Sequence, residues 1–519
     1  MHQTKVVTLA AAISGLLAAL AGPAHADPRD VLLEKLEKRV RELERRLAEQ
    51  PVAPAPAAKP VAVAVPANKP ELEELGRKVR TLERRFEVEK EITTENAKKQ
   101  PKFEAGASGF KISSADERHQ VRIRASVQTD GRFFMDDSAS SIGSNPSGLA
   151  DKFELKQARI WVEGRLWEHL YYKVMPDFAA TNILPDAYVD YAYVPFARVS
   201  AGKQKTPLSL ERLQGDSDGT FLERAFPTYL ASNRDVGVML HGEFATPGAK
   251  VEYGGPVDFK NFVSYQLGVF NGSGDEGSPD KNSPDTNDDK EFVGRLWAHP
   301  FQHSGHAWLE GLGLGLAGTW EQPRRQALAN QRSALGRSTL LDYSKVNAGY
   351  AAPLADGDHY RIYPQAYWYA GPFGLMGEYV LSSQKMFSSN AGARTEIQQD
   401  NSAWQVQASY VLTGEDNTFQ SVKPMQAFNP FEGRWGALQL AARWSELNVD
   451  KGSFQILDPS ASAQHAAAWA LGVNWFLNQN ARIMADYEQT HFDGGAGTTA
   501  RVTDRPTEKV FATRFQLVF

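Results

Sequence analysis

The chain has 519 residues, a formal net charge of -5 and no cysteine. The lack of thiols excludes a disulfide framework and thiolate metal sites, and it suits a protein that crosses an oxidising compartment unfolded. A charge balance this close to neutral argues against nucleic acid as a partner.

Residues 1–26 have the layout of a secretory signal peptide. Lys5 is followed by an apolar run from Val6 to Ala21 and by Ala24-His25-Ala26 ahead of Asp27. The run falls short of the ~20 residues of a spanning helix. Residues 27–50 and 71–96 then read as coiled-coil helices. Leu33, Leu36, Val40, Leu43 and Leu47 keep heptad spacing, and Leu72, Leu75, Val79, Leu82 and Phe86 repeat it between charged flanks. Residues 51–70, rich in Pro and Ala, separate them as an extended linker. Two readings of the heptads stand: an intermolecular stalk that trimerises or contacts the cell wall, or two helices folded on each other.

Residues 109–519 become a series of amphipathic strands. Val121, Ile123, Ala125 and Val127 alternate with Arg122, Arg124, Ser126 and Gln128. Trp469, Leu471, Val473 and Trp475 alternate with small or polar partners, and so do Phe519, Leu517, Phe515 and Phe511 at the end. A period of two with one greasy and one polar face is the signature of a strand that separates lipid from a wet interior. The pattern predicts strands at roughly 118–134, 151–167, 169–179, 185–195, 197–204, 234–247, 257–270 and 290–300. Eight more follow at roughly 311–321, 360–370, 372–385, 401–412, 432–446, 465–476, 480–492 and 508–519. Tight turns at Glu168, Pro195-Phe196, Gly371-Pro372 and Asn478-Gln479 alternate with long segments near 135–150, 205–233, 271–289, 322–359, 386–400, 447–464 and 493–507. The predicted fold is an all-β membrane protein: a 16-stranded antiparallel transmembrane β-barrel preceded by a short coiled-coil segment. An even strand number puts both barrel ends, and with them the coiled coil, in the periplasm of a bacterial outer membrane.

Sixteen strands enclose a water-filled lumen by default, with small, polar and charged residues on the inward parity. Tyr171, Tyr172, Tyr188, Tyr191, Tyr193, Tyr363, Tyr367, Trp368 and Tyr369 lie near strand ends, as girdle aromatics should. Arg122, Arg124 and Arg132 on the first strand share the inward parity with Arg159 and Arg165 on the second, and Arg443, Arg482 and Arg514 join them later. A column of guanidiniums replaces an anion's hydration with charge-assisted donors. The alternative is that these arginines pair with Glu154, Glu163, Asp186, Glu378, Asp486 and Glu488 and merely solvate the wall. Thr206 to Asn233, of mixed sign, is the segment expected to fold inward as a constriction. The acidic loop 275–291 lacks the spacing of a calcium loop and reads as solvated. No G-x-S-x-G or H-E-x-x-H occurs, so neither a catalytic site, a metal nor a cofactor is expected.

Several segments in order resemble the phosphate-selective porin O and P family. They are Leu155-Lys156-Gln157-Ala158-Arg159-Ile160, Gly202-Lys203, Leu222-Glu223-Arg224 before Tyr229, and Gly268-Val269-Phe270-Asn271-Gly272. Leu412-Thr413-Gly414-Glu415, Leu471-Gly472-Val473-Asn474-Trp475 and the final Arg514 to Phe519 continue the series. The resemblance implies a trimeric porin in outer-membrane lipid, with inward-folded loops, an arginine ladder and lysines that attract small anions such as phosphate. It places Lys203, Asp186 and Lys423 beside the arginines as pore residues. It also shows departures: Lys156 and Gln157 stand where the family has paired arginines, and Ser217 where it has a constriction lysine. The expected function is passive diffusion of small anions with modest phosphate selectivity. The rival expectation is a structural protein tethering the membrane to the cell wall.

Overall fold

The computed structural model describes residues 101–135, 149–246, 255–257, 260–275 and 288–519, with some positions between 77 and 100. The signal peptide, the 27–50 helix and the 51–70 linker lie outside the described residues. Within 71–96, the described positions from Arg77 to Glu91 are helical and exposed, and Thr81 Oγ1 donates to the Arg77 carbonyl at 2.8 Å.

The strands in chain order begin with β1 (Lys102–Gly106) and β2 (Gly109–Ser113). Then come β3 (Gln120–Phe134), β4 (Lys152–Leu166), β5 (Leu170–Met175), β6 (Asp186–Val194), β7 (Ala197–Lys205), β8 (Arg234–Phe244) and β9 (Val263–Phe270). β10 (Glu291–Ala298) and β11 (Leu312–Glu321) lead to the short β12 (Arg324–Ala327), β13 (Gln331–Arg332) and β14 (Thr339–Leu341). Last are β15 (Leu354–Ala370), β16 (Phe373–Asn390), β17 (Ala393–Val411), β18 (Ala437–Asn448), β19 (Ala463–Phe476), β20 (Ala481–Thr498), β21 (Arg501–Asp504) and β22 (Glu508–Val518).

β3 to β11, β15 to β20 and β22 each pair antiparallel with the next. β22 closes on β3 from Val510↔Phe134 to Val518↔Ser126. These sixteen strands form a closed barrel, and each coincides with one of the predicted segments. Closure leaves no edge of unpaired N–H and C=O groups, which a hydrocarbon surrounding would not tolerate. Both ends of the wall, Gln120 and Val518, fall at one rim, here the terminal rim; the opposite one is the loop rim.

Several segments depart from expectation. The long loop predicted at 386–400 is instead a hairpin: β16 and β17 pair as far as Asn390↔Ala393. Its turn has Ala391 at φ 48° and Gly392 at φ 89°, the doubly left-handed geometry that matches strand twist. Beyond the lipid the strict alternation breaks down, with Met386, Phe387 and Ile397 set among polar residues, while the backbone ladder continues. For the same reason β20 extends to Thr498 and pairs with β21, and β15 starts at Leu354 inside the predicted 322–359 loop. The hairpin β1–β2, unforeseen, docks on the lower part of β3 (Phe110↔Ile123). The connection between Val411 and Ala437 at the terminal rim is long and folds under the barrel mouth.

Outward positions such as Val238, Leu267, Leu316, Val406, Leu471 and Phe515 are exposed and apolar, forming the lipid face. The inward parity is not uniformly polar, contrary to expectation. Met239, Phe270, Val380 and Leu447 face inward and are fully or almost fully buried. Tyr188, Tyr363 and Tyr367 also face the interior rather than a girdle, whereas Tyr191 and Tyr193 are exposed as girdle residues should be. The partner of these inward groups is chain that has entered the barrel. Leu208, Phe226, Tyr229 and Leu230 from the 206–233 segment and Leu340, Leu341 and Tyr343 from the β14 region pack on Met239, Phe270, Tyr363, Val380 and Leu447 as one cluster. Each such side chain contributes roughly 1.5–3 kcal/mol when taken from water. The lumen is therefore largely plugged on that side.

Candidate functional site

The inserted segment Thr206–Asn233 is held by polar clamps as well as by its apolar anchors. A one-turn helix, Leu210–Leu213, opens on Ser209, whose side chain accepts from the Arg212 N–H. Glu378 on the wall accepts from the Leu210 N–H at 2.7 Å and from Ser209 Oγ at 3.1 Å. Asp486 accepts from the Leu222 N–H at 2.6 Å, and Arg443 donates to the Glu223 carbonyl at 2.8 Å. Buried backbone groups need such partners, and Gln128 of β3, Lys156 of β4, Arg482 of β20 and Gln516 of β22 likewise bond residues 216–223, beside which the open space lies.

That space has two parts. A vestibule of about 410 Å³ opens at the terminal rim, where Ala107, Ser108, Asn480 and residues 420–423 surround it. It leads to a throat of about 150 Å³, and the two meet at Arg159, Gly215, Asp216 and Arg234. Around the vestibule stand Arg124, Arg159, Lys173, Lys205, Arg234, Lys423 and Arg482, against Asp186, Asp216 and Asp218. Around the throat stand Lys156, Arg159, Arg224, Arg234 and Arg514, against Glu211, Asp216 and Glu223. Both spaces carry excess positive charge, and a low-dielectric wall focuses that field on an entering anion.

Local backbone explains the density of cations. A bulge on β4 sets Gln128 opposite Gln157 and Thr129 opposite Leu155. The extra residue lets Lys156 and Gln157 both face inward, the usual effect of a bulge beside a functional site. Lys156 Nζ reaches Glu223 at 2.6 Å. Gln157, with its amide oxygen turned to Arg159, accepts at 3.0 and 3.2 Å. Arg159 also pairs with Asp177 at 2.8 Å and with Asp216. Asp216 further pairs with Arg224 and lies 3.8 Å from Arg234. Burial opposes the charge on Asp216, but the three guanidiniums outweigh it and hold the carboxyl well below its ordinary value. Glu223 is held low in the same way by Lys156, Arg337 and Arg132. Asp218 behaves oppositely: burial pushes its carboxyl up despite Arg482, Arg124 and Lys205. Lys205 donates to the carbonyls of Arg212, Leu213 and Gln214 at 2.6, 3.4 and 2.9 Å, bracing the turn that carries Asp216.

The expected pore residues are placed unequally. Arg124 lines the vestibule, 3.8 Å from Glu163 and over the Trp161 ring. Arg159 lies where vestibule and throat meet. Asp186 lines the vestibule and joins Lys173 at 2.9 Å to Arg234 at 2.7 Å. Lys423 is exposed at the vestibule edge. Arg132 is almost fully buried beyond the throat, against Glu223 at 2.9 Å and Glu154 at 3.3 Å. Arg122 and Arg165 line a separate recess of about 270 Å³ at the terminal rim. Lys203 lines neither vestibule nor throat: it is buried in register with Ala187 and Val236, and its Nζ donates to Asn182 Oδ1 at 3.0 Å. Lys156, Lys173, Lys205 and Arg234 were not predicted as pore residues. Lys156 could have been found from the bulge only with the β3–β4 register in hand, and Arg234 shares its parity with lipid-facing Val236.

Asp130, Glu154 and Glu223 bring carboxylate oxygens within 4.8 Å of one another. Guanidiniums fill that cluster, since Arg514 grips Asp130 through two bonds of 2.7 Å and Arg132 spans the other two. The acidic 275–291 loop is likewise anchored at its described ends, Asp275 to Arg361 at 2.8 Å and Asp289 to Arg324 at 3.0 Å.

A second cavity, about 1080 Å³, also opens at the terminal rim. Its charged lining is Lys260 and Lys423 against Asp218, Glu310, Glu415 and Asp416, with His299 beside them. It ends on packed Leu210, Leu213, Trp297, Tyr367 and Met376. Turn residues 419–423 separate it from the vestibule, and Gln214 Nε2 donates to the Phe419 carbonyl at 2.7 Å.

A closed sixteen-stranded barrel with an apolar outer face and charged internal spaces defines a channel protein of the bacterial outer membrane. The chain belongs to the phosphate-selective porin O and P family, whose model matches residues 127–519. The outer membrane channel DcaP of Acinetobacter baumannii is similar at 9% identity and a TM-score of 0.47, over 77% of this chain and 97% of that one. An anion-selective porin from Comamonas acidovorans matches at 11% identity and a TM-score of 0.43, over 77% and 100%. Salmonella typhi OmpF matches at 11% identity and a TM-score of 0.45, over 78% and 99%. No curated protein sequence matches the chain.

Proposed function

We propose that this porin passes small anions by diffusion, with modest selectivity for phosphate, and that it works as a homotrimer whose heptad segments form a periplasmic stalk. The observation that carries the ion preference is the vestibule lining, seven cationic side chains against three carboxylates. A narrow space so lined lowers the cost of dehydrating an anion and raises it for a cation. Phosphate selectivity is modest because many of the cations already hold a carboxylate, and because Ser217 lines the vestibule where the family resemblance places a lysine.

Purified protein in planar bilayers tests this reading. Under a potassium chloride gradient the reversal potential should carry the sign of the anion. Added phosphate should block the chloride current at about millimolar concentration, the affinity of a few exposed contacts. A reversal potential of cation sign would overturn the proposal, and block at micromolar phosphate would make the selectivity strong rather than modest.

A further inference from the structure

Two carboxylates of the inserted segment sit inside the basic clusters of the throat. Asp216 is held by Arg159, Arg224 and Arg234. Glu223 is held by Lys156 at 2.6 Å, Arg132 at 2.9 Å and Arg337 at 4.0 Å. A carboxylate presents to a guanidinium the same pair of acceptor oxygens that an entering carboxylate or phosphate would present. Both side chains ride on a segment pinned to the wall, so neither diffuses away.

We infer that Asp216 and Glu223 act as tethered anions: they occupy the cationic clusters of the throat, compete with passing anions, and so set the selectivity. The inference rests on the anion-conducting reading above. A filter must attract an ion and still release it. A tethered competitor serves release, because the guanidiniums return to an internal partner as the permeating anion leaves.

Four of the guanidiniums have a second partner besides the tethered anion, whereas Lys156 pairs with Glu223. Arg159 still has Asp177 at 2.8 Å, Arg234 has Asp186 at 2.7 Å, and Arg132 has Glu154 at 3.3 Å. Arg224 Nε also donates to the Glu211 carbonyl at 3.2 Å. Neutralising one tethered carboxylate therefore changes the charge of the throat, from five cations against three carboxylates to five against two, while Arg159, Arg224, Arg234 and Arg132 keep their second partners.

The test compares wild type, Asp216→Asn, Glu223→Gln and the charge-conserving Asp216→Glu in planar bilayers. Inorganic phosphate serves as blocker and a chloride gradient as the selectivity readout. Each neutral variant should move the reversal potential further toward that of chloride and lower the half-blocking phosphate concentration by roughly tenfold, the scale expected for losing a unit charge at contact distance in a screened site. Asp216→Glu, which keeps the charge, should shift both readouts less than Asp216→Asn does. An anion-selective wild type whose two neutral variants show unchanged selectivity and block would overturn the inference. So would variants with larger conductance and weaker anion selectivity, since that outcome makes the carboxylates latches of the segment. A wild type without anion selectivity would instead sink the proposed function. Should Asp216→Asn fail to assemble, Glu223→Gln decides the matter alone.

Discussion

Along β3, β4 and β22 the inward positions carry Arg132, Lys156, Arg159 and Arg514, whereas along β8, β9, β16 and β18 they include Met239, Phe270, Val380 and Leu447. The strands on both sides alternate with the same period and meet the same lipid. The difference lies in what covers them from within. On the first side, residues 214–224 bring charge and backbone carbonyls, which need water or ions around them. On the second, Leu208, Phe226, Leu230, Leu340 and Leu341 bring apolar volume that excludes water. One inserted segment thus narrows the lumen twice, by packing on one side and by charge on the other. On the proposed anion-conducting reading, selectivity depends on the plug as much as on the arginines, because the plug confines ions to the charged side.

The sharpest way to break this contrast is to empty the plug. Phe226→Ala removes a fully buried ring from the apolar cluster and should destabilise the inserted segment by about 3–5 kcal/mol. Thermal unfolding should begin earlier, and single-channel recordings should show larger, noisier openings that discriminate less between anions and cations. Unchanged conductance and stability would mean that the apolar side does not confine the path.

The next effect is mainly on the charged side, since of the two residues changed only Lys423 also lines the second cavity. Arg124→Glu with Lys423→Glu takes two cations from the vestibule and adds two carboxylates, at positions exposed enough to tolerate the change. The seven-to-three excess becomes five to five, and the reversal potential should fall toward zero with openings preserved. Glu310→Gln with Glu415→Gln in the blind cavity is the matched control and should leave the reversal potential where it was. A shift in that control would show that ions also use the second mouth.

The smallest effect concerns pH. Burial raises the carboxyl of Asp218, so on acidification it takes up its proton before Asp216 or Glu223, which their cations hold low. A raised value favours the neutral form, so the loss of negative charge begins above the ordinary aspartate value of about 3.9. Anion selectivity should therefore rise slightly as the pH falls toward the ordinary aspartate value. Asp218→Asn should abolish that rise, and a rise that persists in the variant would assign it elsewhere.

The amino-acid sequence by itself determined the barrel. Strand period, apolar parity and the spacing of Pro195-Phe196, Gly371-Pro372 and Asn478-Gln479 are local properties, and a membrane rewards their regular repetition sixteen times. Arg124 and Arg159 were legible for the same reason, since parity alone faces them inward. Where apolar and polar residues stop alternating the periodic signal vanishes, so the extended hairpin of β16 and β17 and the pairing of β20 with β21 were not visible. Only the tertiary structure decided which inward residues meet ions. Phe270 and Arg514 both face inward; one is buried under Leu208 and its neighbours, the other grips Asp130 at the throat. That choice depends on where residues 206–233 fold, through contacts such as Leu210 to Glu378 and Leu222 to Asp486 that join residues 168 and 264 positions apart. Contacts of that separation leave no mark on local periodicity, which is why Lys205 and Arg234, whose parity points outward, line the vestibule without having been legible there; Lys203 was expected in the pore from the family resemblance, not from its parity.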